Sequence, residues 1–313
     1  MRSKYLYRTL ADYFGLSLVL LVMVMFFAMR TEHFFTAITF RTIANQIPGA
    51  VIIATGMTFV LIIAGIDLSV GSVLALGGAV FGMALTSWQF PLIPAILVCI
   101  ATGLACGAFS GILVAGWKLP AFIVTLGMLE AARGGAQLVT GMKTQYLGAR
   151  VDPIASWNIL GLSLPFVIAL AVVILGQCML SFTVLGRSMF AIGGNEETAR
   201  LSGIPVGRIK VIVFALCGGL ASLAAVIHCT RLTAADPNAG IGYELQAIAA
   251  VVIGGTSLMG GRGSVVKTFI GVAIIAVLEN GLVQLGAQDP IKRLVTGAVI
   301  VFAVLLDYYR RKV

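Results

Sequence analysis

The chain has 313 residues, of which 59% are hydrophobic and 11% charged, and it carries a net charge of +9. A soluble domain has about 25% charged residues and a single soluble core stops growing at roughly 250–300 residues, so this composition excludes an ordinary soluble fold and makes lipid the solvent. The basic residues lie in short loops and at both termini rather than on one soluble face, which excludes a nucleic-acid interface and fits a chain oriented in a membrane by its loop charges.

Crossing the hydrocarbon takes about 20 mostly apolar residues. Ten segments qualify, at about 13–29, 48–65, 70–87, 91–116, 119–140, 163–185, 209–229, 242–259, 264–286 and 291–308. The first continues from Phe14 to Met29 without a small-residue cleavage pattern near its end, so it reads as a span and not as a removable signal. The expected fold is therefore all-α, a single polytopic membrane domain over 1–313 with about ten transmembrane helices. An even number of crossings puts both termini on one side. Placing them in the cytoplasm leaves Arg2, Lys4, Arg8, Lys118, Arg187, Arg200, Arg208, Lys210, Arg262, Lys267, Arg310, Arg311 and Lys312 inside, the richer set. Arg30, Arg41, Lys143, Arg150, Arg231, Lys292 and Arg293 then lie outside.

Between the second and third segments the chain reads AGIDLSVGS, residues 64–72. Asp67 or Ser69 there can cap the third helix, where side-chain oxygens meet the first free amides and an anion faces the positive dipole end. On this reading Asp67 sits at a cytoplasmic turn outside the lipid, with contact to a cytoplasmic partner, as a gate, the lesser alternative. Gly103, Gly107 and Gly111 fall at four-residue spacing, and Gly78 and Gly82 repeat the device; such ladders are packing seams. In the fifth segment Glu130 and Arg133 are three residues apart, one helical turn, and an intramembrane ion pair is preferred to a gating role.

The longest inner loop, about 186–208, is built like a short helix held away from the membrane. Gly193 and Gly194 free the backbone, Asn195 can cap, Glu196 and Glu197 open the first turn, Arg200 closes it, and Gly203 and Pro205 stop it. A helix this short is unstable alone, so a docking surface is expected, to which Ala199 and Leu201 would be presented. Further on, Glu244 suits the N-terminus of the eighth span. Glu279, Asn280 and Gln284 form a polar stripe in the ninth span that could line a path for a hydroxylated solute or bond between helices.

Other chemistry is absent from the pattern. GRGSVVKT at 261–268 resembles a phosphate-binding loop, but Val266 stands where glycine is required. Cys99, Cys106, Cys178, Cys217 and Cys229 show no metal spacing and read as packing residues, and His33 and His228 are isolated, interfacial or packing. No catalytic residue, metal site or cofactor is expected.

Four stretches taken together, GIDLSVGSVLAL at 65–76, FIVTLGML at 122–129, GGNEETARLSGI at 193–204 and RLTAADPNAGIGYELQAIAAVVIGGTSLMGGRGSV at 231–265, resemble the ribose-type sugar permease family of bacterial ATP-binding-cassette importers. The likeness runs from about residue 35 to the C-terminus. It implies a multi-pass inner-membrane subunit that works with a second copy of itself, a cytoplasmic ATPase and a periplasmic sugar-binding protein. It further implies that 193–204 is the helix coupling to the ATPase, with Asn195, Glu196, Ala199, Leu201, Ser202 and Gly203 as coupling residues. Arg231, Pro237, Gly240, Gly242, Tyr243 and Glu244 would belong to the outer mouth of the path. The expected function is passage of a monosaccharide, a pentose or polyol, driven by ATP hydrolysis on separate subunits. The alternative is an ion-coupled symporter, for which Glu279 is the candidate carboxylate.

Overall fold

The computed structural model describes residues 2–159, 162–288, 290–292, 294–299, 301 and 305. Among the described residues the fold is mainly helical, and its strands are two residues long. In order, α1 (Arg2–Arg30), α2 (Ala37–Gln46), α3 (Pro48–Ile62), α4 (Val70–Thr86), α5 (Leu92–Gly116) and α6 (Ala121–Thr140) form the first part. A small extramembrane patch follows, with β1 (Gln145–Tyr146), α7 (Asp152–Ala155), β2 (Asn158–Ile159) and β3 (Leu162–Ser163). The second part comprises α8 (Leu164–Phe182), α9 (Val184–Gly194), α10 (Glu196–Leu201), α11 (Val206–Leu232), β4 (Ala234–Ala235), α12 (Tyr243–Ile253) and α13 (Val265–Gln284). β1 pairs antiparallel with β4, joining the far ends of α6 and α11.

Each of the first nine expected spans coincides with a helix; of the tenth, at 291–308, the described residues 291, 292, 294–299, 301 and 305 are helical and the rest lie outside the described residues. Among the described residues, five helices are long and apolar enough to cross a bilayer, and six if α2 and α3, bent by 48° at their junction, count as one. Pro48 opens α3 at that bend, where its missing N–H costs nothing. α4 and α12 are apolar but shorter. The chain before each is unwound, over 63–69 and 236–242.

The core is α11 against α5, α3 and α4. Glycines make the closest of these approaches. A methyl group on Gly107 would overlap the Phe214 carbonyl, one on Gly103 the Gly218 carbonyl, and one on Gly218 the Gly103 carbonyl in return. Gly111 would bring it to 2.7 Å from the Val211 Cα. The ladder on α5 is thus laid directly on the backbone of α11, where dispersion contacts do what water-driven burial cannot do in lipid. Gly78 and Gly82 of α4 approach side chains instead, a methyl on them standing 3.1 Å from Cys229 Sγ and 2.7 Å from Ala235 Cβ.

Gly107→Leu is expected to force α5 off α11 and to destabilise the purified protein by roughly 1–3 kcal/mol or more, read as a lower thermal midpoint and a smaller monodisperse fraction in detergent. Gly116→Ala, on the same helix but with nothing within 4 Å of the added methyl, should leave both unchanged.

Candidate functional site

Helical period brings one face of each of three helices together. On α11 the residues Ala224, Ile227, His228 and Arg231, on α12 Tyr243, Gln246, Ala247 and Ala250, and on α13 Val272, Ile275, Ala276 and Glu279 recur at three- and four-residue steps and face a common cavity of about 270 Å³. The bend at Pro48 turns Asn45 and Gln46 over it, α3 closes one side as far as Ile53, and Leu74 of α4 lies at its edge. The walls are apolar, and the polar groups are three amides, one imidazole, one phenol, one guanidinium and one carboxylate. The His228 and Tyr243 rings meet edge-on, 6.0 Å between centroids.

Of the stripe expected on the ninth span, only Glu279 reaches this cavity. Gln284 instead donates to Thr39 Oγ1 at 3.1 Å and to Asn280 Oδ1 at 3.2 Å, and Thr31 Oγ1 donates to its oxygen at 3.4 Å. Asn280 and Gln284 therefore tie α13 to α2 and the end of α1. Glu244 is also absent from the lining, one position from Tyr243 but on the other side of α12, with its Oε2 against Gly71 of α4. His228, read from sequence as interfacial or packing, lines the cavity, as do Asn45, Gln46 and Gln246.

Two unwound segments pack around α4 and α6. In the first, Asp67 is buried, only 1% exposed, so its expected place outside the bundle is corrected. Its Oδ1 accepts from Ser69 N at 2.9 Å and from Ser69 Oγ at 2.6 Å. Asp67 thus fastens the turn before α4. Ser69 occupies the capping position of that helix without a side-chain bond to it. The cause is α6, whose Thr125 Oγ1 donates to the Ile66 carbonyl at 3.2 Å and accepts from Leu68 N at 3.1 Å, folding the segment inward.

The second segment corrects the expected Glu130–Arg133 ion pair. The Arg133 guanidinium donates to the carbonyls of Pro237 at 2.9 Å and Ala239 at 2.7 Å, and Gln137 Nε2 donates to Asn238 Oδ1 at 3.2 Å. Unwound carbonyls packed against other helices need donors, and a charged donor meets two of them strongly. Glu130, one turn away, is left exposed on α6. The segment continues to Gly240, which lies on Gly71 so closely that a methyl on Gly71 would overlap the Gly240 carbonyl.

At the opposite end of α3, about 21 Å from Pro48 at 1.5 Å per residue, stands the α9–α10 corner. Asn195 caps α10 as expected, its Oδ1 accepting from Thr198 N at 2.9 Å. Glu196 is held by Lys210 of α11 at 2.7 Å and faces Arg200 at 3.4 Å. Ser202 Oγ donates to the Thr198 carbonyl, and Gly203, at φ +81°, lets Ile204 N return to the Ala199 carbonyl. Ala199 does not face outward as expected: it is 4% exposed and packs on its own chain, whereas Leu201 is 81% exposed. Beneath this corner a methyl on Gly193 would overlap both the Ile62 carbonyl and the Gly261 amide, and Gly261 N itself donates to Ile62 O at 2.9 Å.

The family model described as the permease component of the branched-chain amino acid transport system matches residues 39–304. The ribose import permease RbsC of Escherichia coli strain K12 is 43% identical over 295 residues, 93% of this chain and 92% of that protein. RbsC of Bacillus subtilis strain 168 is 40% identical over 299 residues, 94% and 92% of the two chains. The D-allose transport system permease protein AlsC of E. coli strain K12 is 36% identical over 299 residues, 95% and 91%. No solved structure matches.

Arg133→Met should release the 236–242 segment. Each of the two charge-assisted bonds lost is worth about 1.5–3 kcal/mol, so amide exchange across 236–242 is expected to quicken roughly tenfold or more, while Glu130→Gln leaves it unchanged.

Proposed function

The chain belongs to the family of branched-chain amino acid transport system permease components, and from that premise we propose that it forms the membrane path of a bacterial ATP-binding-cassette importer for a monosaccharide of the ribose class. The observation that carries the substrate class is the 40–43% identity to ribose import permeases across more than nine-tenths of both chains. Relatives named for allose and arabinose stand at 36% and 32%. Membership in a permease family makes the chain a transport component; hydrolysis of ATP belongs to a separate subunit. The ion-coupled symporter gives way to this assignment.

The protein is then a multi-pass inner-membrane subunit. Its α9–α10 corner faces the cytoplasm and an ATPase, and its cavity end faces outward to a sugar-binding protein. A second copy completes the assembly, and 1–313 acts as one permease domain. Asn195, Glu196, Ser202 and Gly203 shape the coupling helix, Ala199 anchors it, and Leu201 is the apolar contact offered to the ATPase. Asp67 and Ser69 keep the inner turn closed beneath the path. Glu279 lines the path itself.

The geometry favours a short mechanical route. Gly193 touches the inner end of α3 at Ile62 and the α12–α13 turn at Gly261, and α3, α12 and α13 are all walls of the cavity. ATP-driven closure of the ATPase cleft displaces α10, and the corner carries that displacement to these three helices as a rigid shift between two packed states.

Reconstitution with an ATPase and a ribose-binding protein should give hydrolysis stimulated by the sugar-loaded binding protein; hydrolysis indifferent to it would remove the assignment. Leu201→Asp is expected to weaken ATPase association by about 1–3 kcal/mol. Ala199→Pro, which removes the Ala199 N bond to Asn195 O at 3.0 Å, should abolish association while the protein stays in the membrane. Gly193→Ala should do the converse, keeping the complex but cutting uptake about tenfold, an effect of roughly 1.4 kcal/mol on the transport barrier.

A further inference from the structure

Polar side chains within a membrane bundle usually spend their hydrogen bonds on one another. Much of this chain follows the rule. Gln177 Oε1 accepts from Ser264 Oγ, Val265 N and Val266 N, Thr58 and Thr268 bond each other at 2.8 Å, and Gln284 is shared between α2 and α13. The cavity breaks it. The side chains of Asn45, Gln46, Arg231 and Gln246, which are exposed at its mouth, and of His228 and Glu279, which are half-buried, make no hydrogen bond or ion pair to another described residue, and all of them line the same space. They come from four helices and positions as far apart as 45 and 279, so no local turn or cap accounts for them.

Their chemistry restricts what could meet them. An amide supplies a donor and an acceptor side by side, as a hydroxyl does, and three amides ring this space. The lining carries one guanidinium and one carboxylate, with Lys292 near Glu279 and Asp236 near His228, so charges of both signs surround the space. The His228 imidazole and the Tyr243 ring add a flat, polar-edged surface of the kind that small-molecule sites use to fix orientation. At about 270 Å³ the cavity lies just under the roughly 300–1,000 Å³ of ordinary ligand pockets, which admits one small ring.

We propose that this cavity is a binding site within the permease for an uncharged polyhydroxylated solute of monosaccharide size, held chiefly by Asn45, Gln246, Arg231 and Glu279. The proposal rests on the transport reading above and adds that the permease selects its cargo and does not leave selection wholly to the binding protein. Occupancy is weak, because a site on a path must release what it holds, and the walls that shape it are the helices gripped at Gly193, so the same shift that moves the coupling corner would dismantle the site.

The test uses the purified permease–ATPase complex in nanodiscs, without binding protein, titrated with D-ribose and read by saturation-transfer NMR. Saturable binding with a half-point of about 1–10 mM is expected, with D-ribose 5-phosphate failing to compete. Asn45→Leu with Gln246→Leu should raise the half-point at least about fivefold, and Gln246→Asn, which keeps the amide but shortens its reach, should move it in the same direction should the double variant fail to assemble. Glu130→Gln, outside the cavity, should not move it. Absence of saturation to about 100 mM, equal competition by the phosphate, or unchanged binding in the cavity variants would each overturn the site. Stimulation of hydrolysis by sugar-loaded binding protein in the same preparation separates the two levels: with stimulation but no saturable binding, the transport reading stands and the cavity site falls, and without stimulation both fall.

Discussion

In lipid, every backbone amide and carbonyl must find its partner inside the protein, and this chain departs from continuous helix in two places where that demand is hardest to meet. Segments 63–69 and 236–242 are unwound beside α4 and α6, and each is satisfied by side chains of α6 or of its own turn. Thr125 takes Ile66 and Leu68, Asp67 takes Ser69, and Arg133 takes Pro237 and Ala239. The first amides of α13 are met the same way, by Gln177 from α8. Each such partner fixes the position of a helix start, and with it the faces that α4, α12 and α13 turn towards the cavity. An interrupted bundle is therefore ordered by a few polar side chains, and the cavity exists because the interruptions do.

The remaining packing is done by close backbone approach, in two modes. On α5 and α11 glycine meets carbonyl at successive turns, Gly103, Gly107 and Gly111 along one helix face, so the two helices can neither slide nor tilt without several overlaps at once. This pair is the stator. At the α9–α10 corner the close approach joins three short segments instead of two long helices: Gly193 lies on Ile62 and Gly261, and the turn glycines Gly260 and Gly261, at φ +85° and +73°, lie against Ala64, Gly193 and Gly194.

Sequence and structure agree where the signal is local. Apolar runs located nine helices, four-residue glycine spacing identified the α5 seam, and the Asn195 cap with Gly203 behind it was readable from residue type alone, because caps and turns depend on neighbours within a few positions. The misreadings share a different cause. Arg133 was paired with Glu130 because that partner lies one turn away, while its actual acceptors are more than a hundred residues along the chain. Asp67 was placed at a surface turn because nothing near it in sequence could bury it; Thr125 of α6 does. His228 and Asn45 carried no signal at all, since what makes them notable is that each stands beside Glu279 and Gln246 without being bonded to them. Ala199 was read as outward-facing from its position in a loop, when a helix of six residues must bury some face against its own chain to persist.

The stator and the corner together explain why the polar groups of the cavity can remain unspent. A bundle free to relax would close over such groups and pair them with one another, as α13 has done at Gln284. α3 cannot close in, because α11 holds it at Gly56 against the Cys217 backbone, where a methyl would stand 3.1 Å from Cα. α12 cannot either, because a methyl on Gly271 of α13 would overlap the Ala250 carbonyl, so the two helices already touch at backbone contact. The cavity is kept open by walls that have reached their closest approach elsewhere along their length. Collapse then requires moving those contacts as a set, and the place where α3 and the α12–α13 turn are held in common is the backbone of Gly193.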